Sequence, residues 1–232
     1  MTEKVRIQKY LSQQGVLSRR QAEAYLQKGW ISVNGEVVTE LGTKIDPKVD
    51  VVTLHDDAQK AREDMCTIAF HKPRGVVTNC PQEGETEIRD LLPQSYQHLH
   101  AIGRLDKDSE GLILMTSDGV FAKQCLDPKK GHEREYEVWV SKLFSDSMKE
   151  EMETGLYILG KQTLPTQIQI VGSRRFLMVM REGKNRQIRR MVQQVGNGVV
   201  RLKRIRFGSV LLGGLASGAF RRIDSTLELA IR

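Results

Sequence analysis

Three carboxylates fall within five residues of Gly103-Arg104-Leu105-Asp106-Lys107-Asp108-Ser109-Glu110-Gly111-Leu112, a charged, glycine-bounded segment feeding the apolar run Leu112-Ile113-Leu114-Met115. Clustered carboxylates can hold a cation, cleave a glycosidic bond as an acid–base pair, or include one nucleophile. Asp106, Asp108, Glu110 and Gly111 roughly fill the first, third, fifth and sixth positions of an EF-hand loop. Ser117 occupies the twelfth position, where a bidentate Glu is needed, and Pro93 to Ile102 offers no entering helix, so calcium is disfavoured. A glycosidase pair depends on a carboxylate separation that spacing alone does not fix, and aromatics for stacking sugars make up only 6% of the chain, which ranks that reading low.

Charge supplies the second signal. The net charge of +7 suggests a polyanionic partner, because clustered Lys and Arg release counterions condensed on phosphates. Residues 1–30 hold six basic and two acidic groups, residues 31–57 two basic and six acidic, and residues 181–206 nine basic against Glu182 alone. Two basic blocks so far apart suggest a shared RNA surface, although a solvated face is the ordinary reading of a single charge run. The five histidines and the cysteines Cys66, Cys80 and Cys125 show no metal-ligand spacing, so free thiols and no metal are expected. Met1 to Arg6 alternates charged and apolar residues and lacks the run of a secretory signal, and no apolar stretch is long enough to span a bilayer, so a cytoplasmic protein with no membrane partner is expected.

Several motifs occur in one order: Lys72-Pro73-Arg74-Gly75; Gly103-Arg104-Leu105-Asp106 with Ser109-Glu110-Gly111-Leu112 and Thr116-Ser117-Asp118-Gly119; Glu135-Tyr136-Glu137-Val138-Trp139-Val140; Glu182-Gly183-Lys184-Asn185-Arg186-Gln187-Ile188-Arg189-Arg190-Met191; and Val199 to Gly208. Together they resemble the pseudouridine synthases acting on ribosomal RNA, specifically the RsuA-type group, over about Thr67 to Ile223. Residues 6–54 resemble the RNA-binding module of a small-subunit ribosomal protein. The resemblance implies a cofactor-free, monomeric enzyme that isomerises uridine in ribosomal RNA, with the large subunit ahead of the small as target. A non-catalytic RNA-binding or ribosome-assembly factor and a transfer-RNA synthase are the alternatives.

The same resemblance implies Asp106 as catalytic aspartate, Tyr136 as active-site tyrosine, Ile188 and Arg189 as the aliphatic–basic pair, and Arg104 as the residue that helps displace the base. Asp106 would act as nucleophile or as the base that removes a ribose proton, and the resemblance leaves both open. Arg189 would pair with Asp106 and keep it ionised. Tyr136 would stack on uracil and offer a hydroxyl, although Val138 and Val140 share its face and a core tyrosine is the competing reading. Lys72, Lys184, Arg186 and Arg190, with Arg6, Lys9, Arg19 and Arg20 of the first module, are expected to contact RNA. His71 and the pair Asn197-Gly198 depart from the usual family residues and leave specificity open.

The elements that must position these groups are legible in outline. A short helix ends at Gly15, and Ser18 caps a second over Arg19–Leu26, with Gln21 at the capping-box position and Gly29 closing it. Asn34-Gly35 marks a hairpin between Trp30–Val33 and Glu36–Val38, a strand follows at Val49–Leu54, and His55–Asp64 reads as a polar linker. Further strands are expected at 67–71, 75–78, 111–116, 135–140, 166–170, 175–180, 199–207 and 218–223, with helices at 119–125, 145–154 and 187–195. Irregular interspersion predicts an α+β fold with a mainly antiparallel sheet behind a small two-helix plus β-hairpin domain. The expected division is 1–57, a linker at 58–66, and 67–232.

Overall fold

A computed structural model describes residues 4–224. Met1 to Glu3, part of the stretch read for a secretory signal, and residues 225–232, the end of the second expected domain, lie outside the described residues. The chain forms two compact units, residues up to Cys66 together with Thr116–Cys125, and Thr67–Met115 together with Leu126 onward.

The first unit runs β1 (Val5–Arg6), α1 (Ile7–Gln13), α2 (Arg19–Gln27), β2 (Ile31–Val33), β3 (Glu36–Val37), β4 (Lys44–Ile45), β5 (Val52–Leu54) and α3 (Asp56–Glu63), and α4 (Gly119–Leu126) falls almost wholly within it. Ser18 and Gln21 form the anticipated capping box, satisfying two backbone donors that the first turn of α2 leaves open. Asn34 and Gly35 take positive φ values of 52° and 87°, the conformation a tight hairpin requires. The Asn34 amide also ties down the segment before β5, donating to Asp50 and accepting from the Val51 amide, both at 2.9 Å. Val49 to Val51 are thereby held outside the strand, which begins only at Val52. The polar stretch expected as a linker is helical: α3 has Asp56 and Asp57 in its first turn and Lys60 and Arg62 in its last, in accord with the helix dipole, and it buries Ala58. Ile7, Leu11, Leu17, Ala22, Leu26, Ile31 and Ile45 make the core it joins.

The second unit holds β6 (Thr67–Lys72), β7 (His100–Ile102), β8 (Glu110–Thr116), β9 (Arg134–Val140), α5 (Asp146–Thr154), the hairpin β10 (Tyr157–Ile158) and β11 (Lys161–Gln162), β12 (Gln167–Gly172), β13 (Arg175–Met180), α6 (Gln187–Gln194), β14 (Val199–Phe207), β15 (Val210–Leu211) and β16 (Phe220–Ile223). The main sheet has the order β12-β13-β9-β14-β8-β6-β16, with β15 beside β14 and β7 beside β8. Antiparallel pairing dominates, but β8 and β14 run parallel, so the α+β fold carries a mixed sheet. Leu112 to Met115 are fully buried, which explains why β8 reads as an unbroken apolar run. Val138, Val140, Phe176, Met178, Met180 and Leu202 face Ile188, Met191 and Val192 of α6 and Met152 of α5. Phe144 stacks on Phe176 with centroids 4.1 Å apart, and each buried ring contributes about 1.5–3 kcal/mol.

The expected strand at 75–78 does not form. Its polar groups are used on the loop instead: Thr78 Oγ1 donates to the Leu105 carbonyl at 2.7 Å and accepts from the Leu105 amide at 3.0 Å, and the Gly75 amide donates to the Lys107 carbonyl at 2.7 Å. Val77 exchanges backbone bonds with Thr86 and Ile88, so the segment straps the carboxylate loop rather than joining the sheet.

Candidate active site

The carboxylate loop enters β8 through Gly111, whose φ is +107°. A Cβ there would lie 2.3 Å from the Arg204 carbonyl oxygen, so only glycine lets β8 and β14 approach this closely. Beneath the loop Lys72 is fully buried, and its Nζ donates to the carbonyls of Pro73 at 2.8 Å and Ser109 at 2.7 Å. Burial lowers the Lys72 ammonium to about 8, against the opposing pull of Asp106, Asp108 and Glu110. Contrary to the expectation of an RNA contact, Lys72 braces the loop from inside and does not present its charge to a phosphate.

Above the loop lies a cleft of about 440 Å³, lined by Arg104, Asp106, Tyr136, Lys184, Arg186 and Ile188 among others. Leu105, Met180 and Leu202 add apolar surface. Tyr136 is half-buried: it packs against the core around Val138 and also lines the cleft, so both readings of this tyrosine describe part of it. Ile188 is buried on α6 and faces the same cleft. Arg104 is exposed at its mouth and has no hydrogen bond or ion pair among the described residues.

The arginines are distributed differently from the expectation. Arg189 turns inward, but its guanidinium meets Asp108 at 3.3 Å, the Asp108 carbonyl at 3.0 Å and Ser109 Oγ at 3.2 Å, and the anticipated ion pair with Asp106 does not form. Arg186 binds Asp108 through both nitrogens, at 3.1 and 2.9 Å, and reaches Asp106 only at 3.8 Å. The reason is local: Arg186 begins α6 in the left-handed region, with φ 50° and ψ 33°, which aims its side chain at the loop. Burial pushes the Asp108 carboxyl up, yet the Arg186 hydrogen bond and the Arg189 and Arg186 charges together hold it below the usual carboxylate range. Burial lowers Arg189, with Asp108 opposing, whereas the Asp108 hydrogen bond raises Arg186.

Arg190 points elsewhere, its Nε donating to the Asn185 carbonyl at 3.2 Å. Lys184 pairs with Glu182 at 3.4 Å and donates to the Gln162 carbonyl at 2.8 Å. Arg6, Lys9, Arg19 and Arg20 are exposed on the first unit and have no carboxylate partner among the described residues. Sequence reasoning assigns no role to Asp108, Ser109 or Thr78. The density of carboxylates pointed to Asp108, whereas nothing in the spacing marks Thr78. Of the two departures noted in the sequence, His71 is buried with Nδ1 2.7 Å from the Leu215 carbonyl. Asn197 is buried too, and its Oδ1 accepts from the Lys142 amide at 3.0 Å and the Gly198 amide at 2.8 Å. Both are framework contacts.

Of the carboxylates at this cleft, Glu182 is paired with Lys184 and Asp108 with Arg186 and Arg189, which leaves Asp106 the least engaged; with a tyrosine and apolar side chains beside it, it can work on a small planar group. The model of the RNA pseudouridylate synthase family matches residues 67–194, and the S4 domain model matches residues 5–51. The chain belongs to the RNA pseudouridine synthases. Within that family it sits with the RsuA, RluB and RluF group, behind an N-terminal S4 domain through which it binds RNA. It is 36% identical over 229 residues to the dual-specificity RNA pseudouridine synthase RluF of Escherichia coli O6:H1, covering 97% of this chain and 78% of that one. It is 32% identical over 227 residues to the ribosomal large subunit pseudouridine synthase B of Bacillus subtilis, covering 94% and 91%. A crystal structure of a pseudouridylate synthase superposes with a TM-score of 0.71 at 25% identity, covering 97% of this chain and all of that one. Among the described residues no helix is long and apolar enough to cross a membrane.

Proposed function

We propose that this protein isomerises specific uridines of ribosomal RNA to pseudouridine, that the large subunit is its target, and that Asp106 is the reacting carboxylate. The observation that carries the reading is the placement of Asp106, partly exposed on a cleft of small-molecule size together with Tyr136, Ile188 and the unpaired Arg104. The reaction breaks the C–N glycosidic bond, turns the detached base and rejoins it through carbon. No atom or electron is gained, which accords with an enzyme that needs no cofactor. Asp106 acts as nucleophile or removes a ribose proton, Tyr136 stacks on the base, and the apolar floor excludes water while the base turns. Flipping the uridine out of its stack costs a few kcal/mol, which phosphate contacts from Arg6, Lys9, Arg19 and Arg20 offset. In this reading Arg104, exposed at the cleft mouth, helps displace the base.

The large-subunit target draws support from the Bacillus subtilis relative, whose name specifies that subunit and which aligns with 94% of this chain. We further read the protein as a cytoplasmic monomer. Mapping pseudouridine in ribosomal RNA from cells with and without the gene tests the assignment. The expected result is loss of one or a few large-subunit sites. Unchanged ribosomal RNA with a missing transfer-RNA site would overturn the substrate.

A further inference from the structure

The proposed reaction employs one carboxylate, yet the more strongly engaged one stands two residues away. Asp108 accepts from both nitrogens of Arg186 and has a further contact from Arg189, while among the described residues Asp106 has a single approach, from Arg186 at 3.8 Å. A carboxylate gripped by a guanidinium fork has its lone pairs committed and is a poor nucleophile or base. We propose that Asp108 is a positioning residue that saturates Arg186 and Arg189, so that Asp106 lies in their positive field with its oxygens free for the ribose. This rests on the reading of Asp106 as the reacting carboxylate.

The two arginines are not equivalent in this arrangement. Arg189 is only 12% exposed and is held from three sides, by the Asp108 carboxylate and carbonyl and by Ser109 Oγ, so it is fixed whatever Asp106 does. Arg186 is 43% exposed, and apart from the long approach to Asp106 its only described side-chain partner is Asp108. Without the Asp108 charge, the nearest carboxylate to the Arg186 fork is Asp106. Asp108 thus keeps Arg186 from occupying the atoms that react.

The test is the single-turnover conversion of uridine in a ribosomal RNA transcript by full-length wild type, Asp108→Asn, Asp108→Asn/Arg186→Met and Asp106→Asn. Asp108→Asn is expected to slow conversion by about tenfold or more, the scale of coupling between contacting charged groups, with RNA affinity within a few-fold. Removing Arg186 in that background should recover several-fold of the rate, because the competing fork is gone. A merely structural role predicts that the second substitution leaves the rate unchanged or lowers it further, and that result would overturn the proposal. Thermal unfolding checks each variant, and Asp108→Ser supports the same comparisons if the Asn variant does not fold. If Asp106→Asn still turned over, the underlying reading would fail. An inactive Asp106→Asn beside a double variant no faster than Asp108→Asn would reject the positioning role alone.

Discussion

The basic residues of the first unit and most of those in 181–206 are the same residue types in opposite situations. Arg6, Lys9, Arg19 and Arg20 are exposed and have no carboxylate partner among the described residues, so their charge is available to phosphate. Among the nine basic residues of 181–206, six meet carboxylates: Arg181, Lys184, Arg186, Arg189, Arg201 and Arg206 pair with Glu133, Glu182, Asp108, Glu110 or Glu135. Arg204 is buried and donates to the Leu112 carbonyl at 2.6 Å. The second block is therefore largely neutralised from within, and its charge serves geometry. Charge density along a sequence measures affinity for RNA only where the fold supplies no counter-charge.

This contrast can be broken most sharply at Arg189. Arg189→Met is expected to reduce turnover by about a hundredfold, the upper scale of coupling between contacting charged groups, because its guanidinium holds Asp108 and Ser109 in the loop beside Asp106, while RNA affinity changes only a few-fold. Filter binding and single-turnover rates on the same transcript measure both. A loss mainly in affinity would place Arg189 with the RNA-gripping residues.

Lys72 gives the next largest effect, read as stability. Its folded value of about 8 lies below its ordinary 10.5, so between these values the unfolded chain binds more protons and stability contributed by Lys72 rises with pH. The stability of wild type relative to Lys72→Met should accordingly increase by on the order of 2 kcal/mol as pH rises from about 8 to 10.5. Denaturant unfolding at several pH values measures this, and a flat difference would mean that the ammonium is solvated. The smallest effect belongs to the first unit. Arg19→Ala/Arg20→Ala should weaken RNA binding modestly and flatten the plot of log affinity against log salt by roughly 0.7 to 0.9 for each phosphate that the variant no longer neutralises. An unchanged slope would assign these residues to something other than RNA.

Much of the fold was legible because local rules agreed with tertiary packing. The Ser18–Gln21 capping box, the Asn34-Gly35 turn and the alternation of Arg175–Met180 each specify their element without help from distant residues. Two of the failures share a cause, which is partners far along the chain. Gly75–Thr78 has strand-like residues, but its polar groups are claimed by Leu105, Lys107 and Thr86. Lys72 resembles a phosphate ligand until Ser109, 37 residues away, is seen to accept from it. Of the candidate site, the grouping was legible: Arg104, Asp106, Tyr136 and Ile188, singled out together in the sequence, line one cleft. The pairing of its charges was not, because a motif holds Asp106 and Arg189 without saying that Asp108 stands between them.

In the proposed reaction one carboxylate, Asp106, performs the chemistry while its neighbour Asp108 holds the cations. Single-turnover assay of Asp106→Asn on a ribosomal RNA transcript tests it most directly, since the amide keeps the side chain's size and removes only its anionic oxygen. No detectable pseudouridine is expected, with RNA bound within a few-fold of wild type. Pseudouridine formed at a rate comparable to wild type would contradict it.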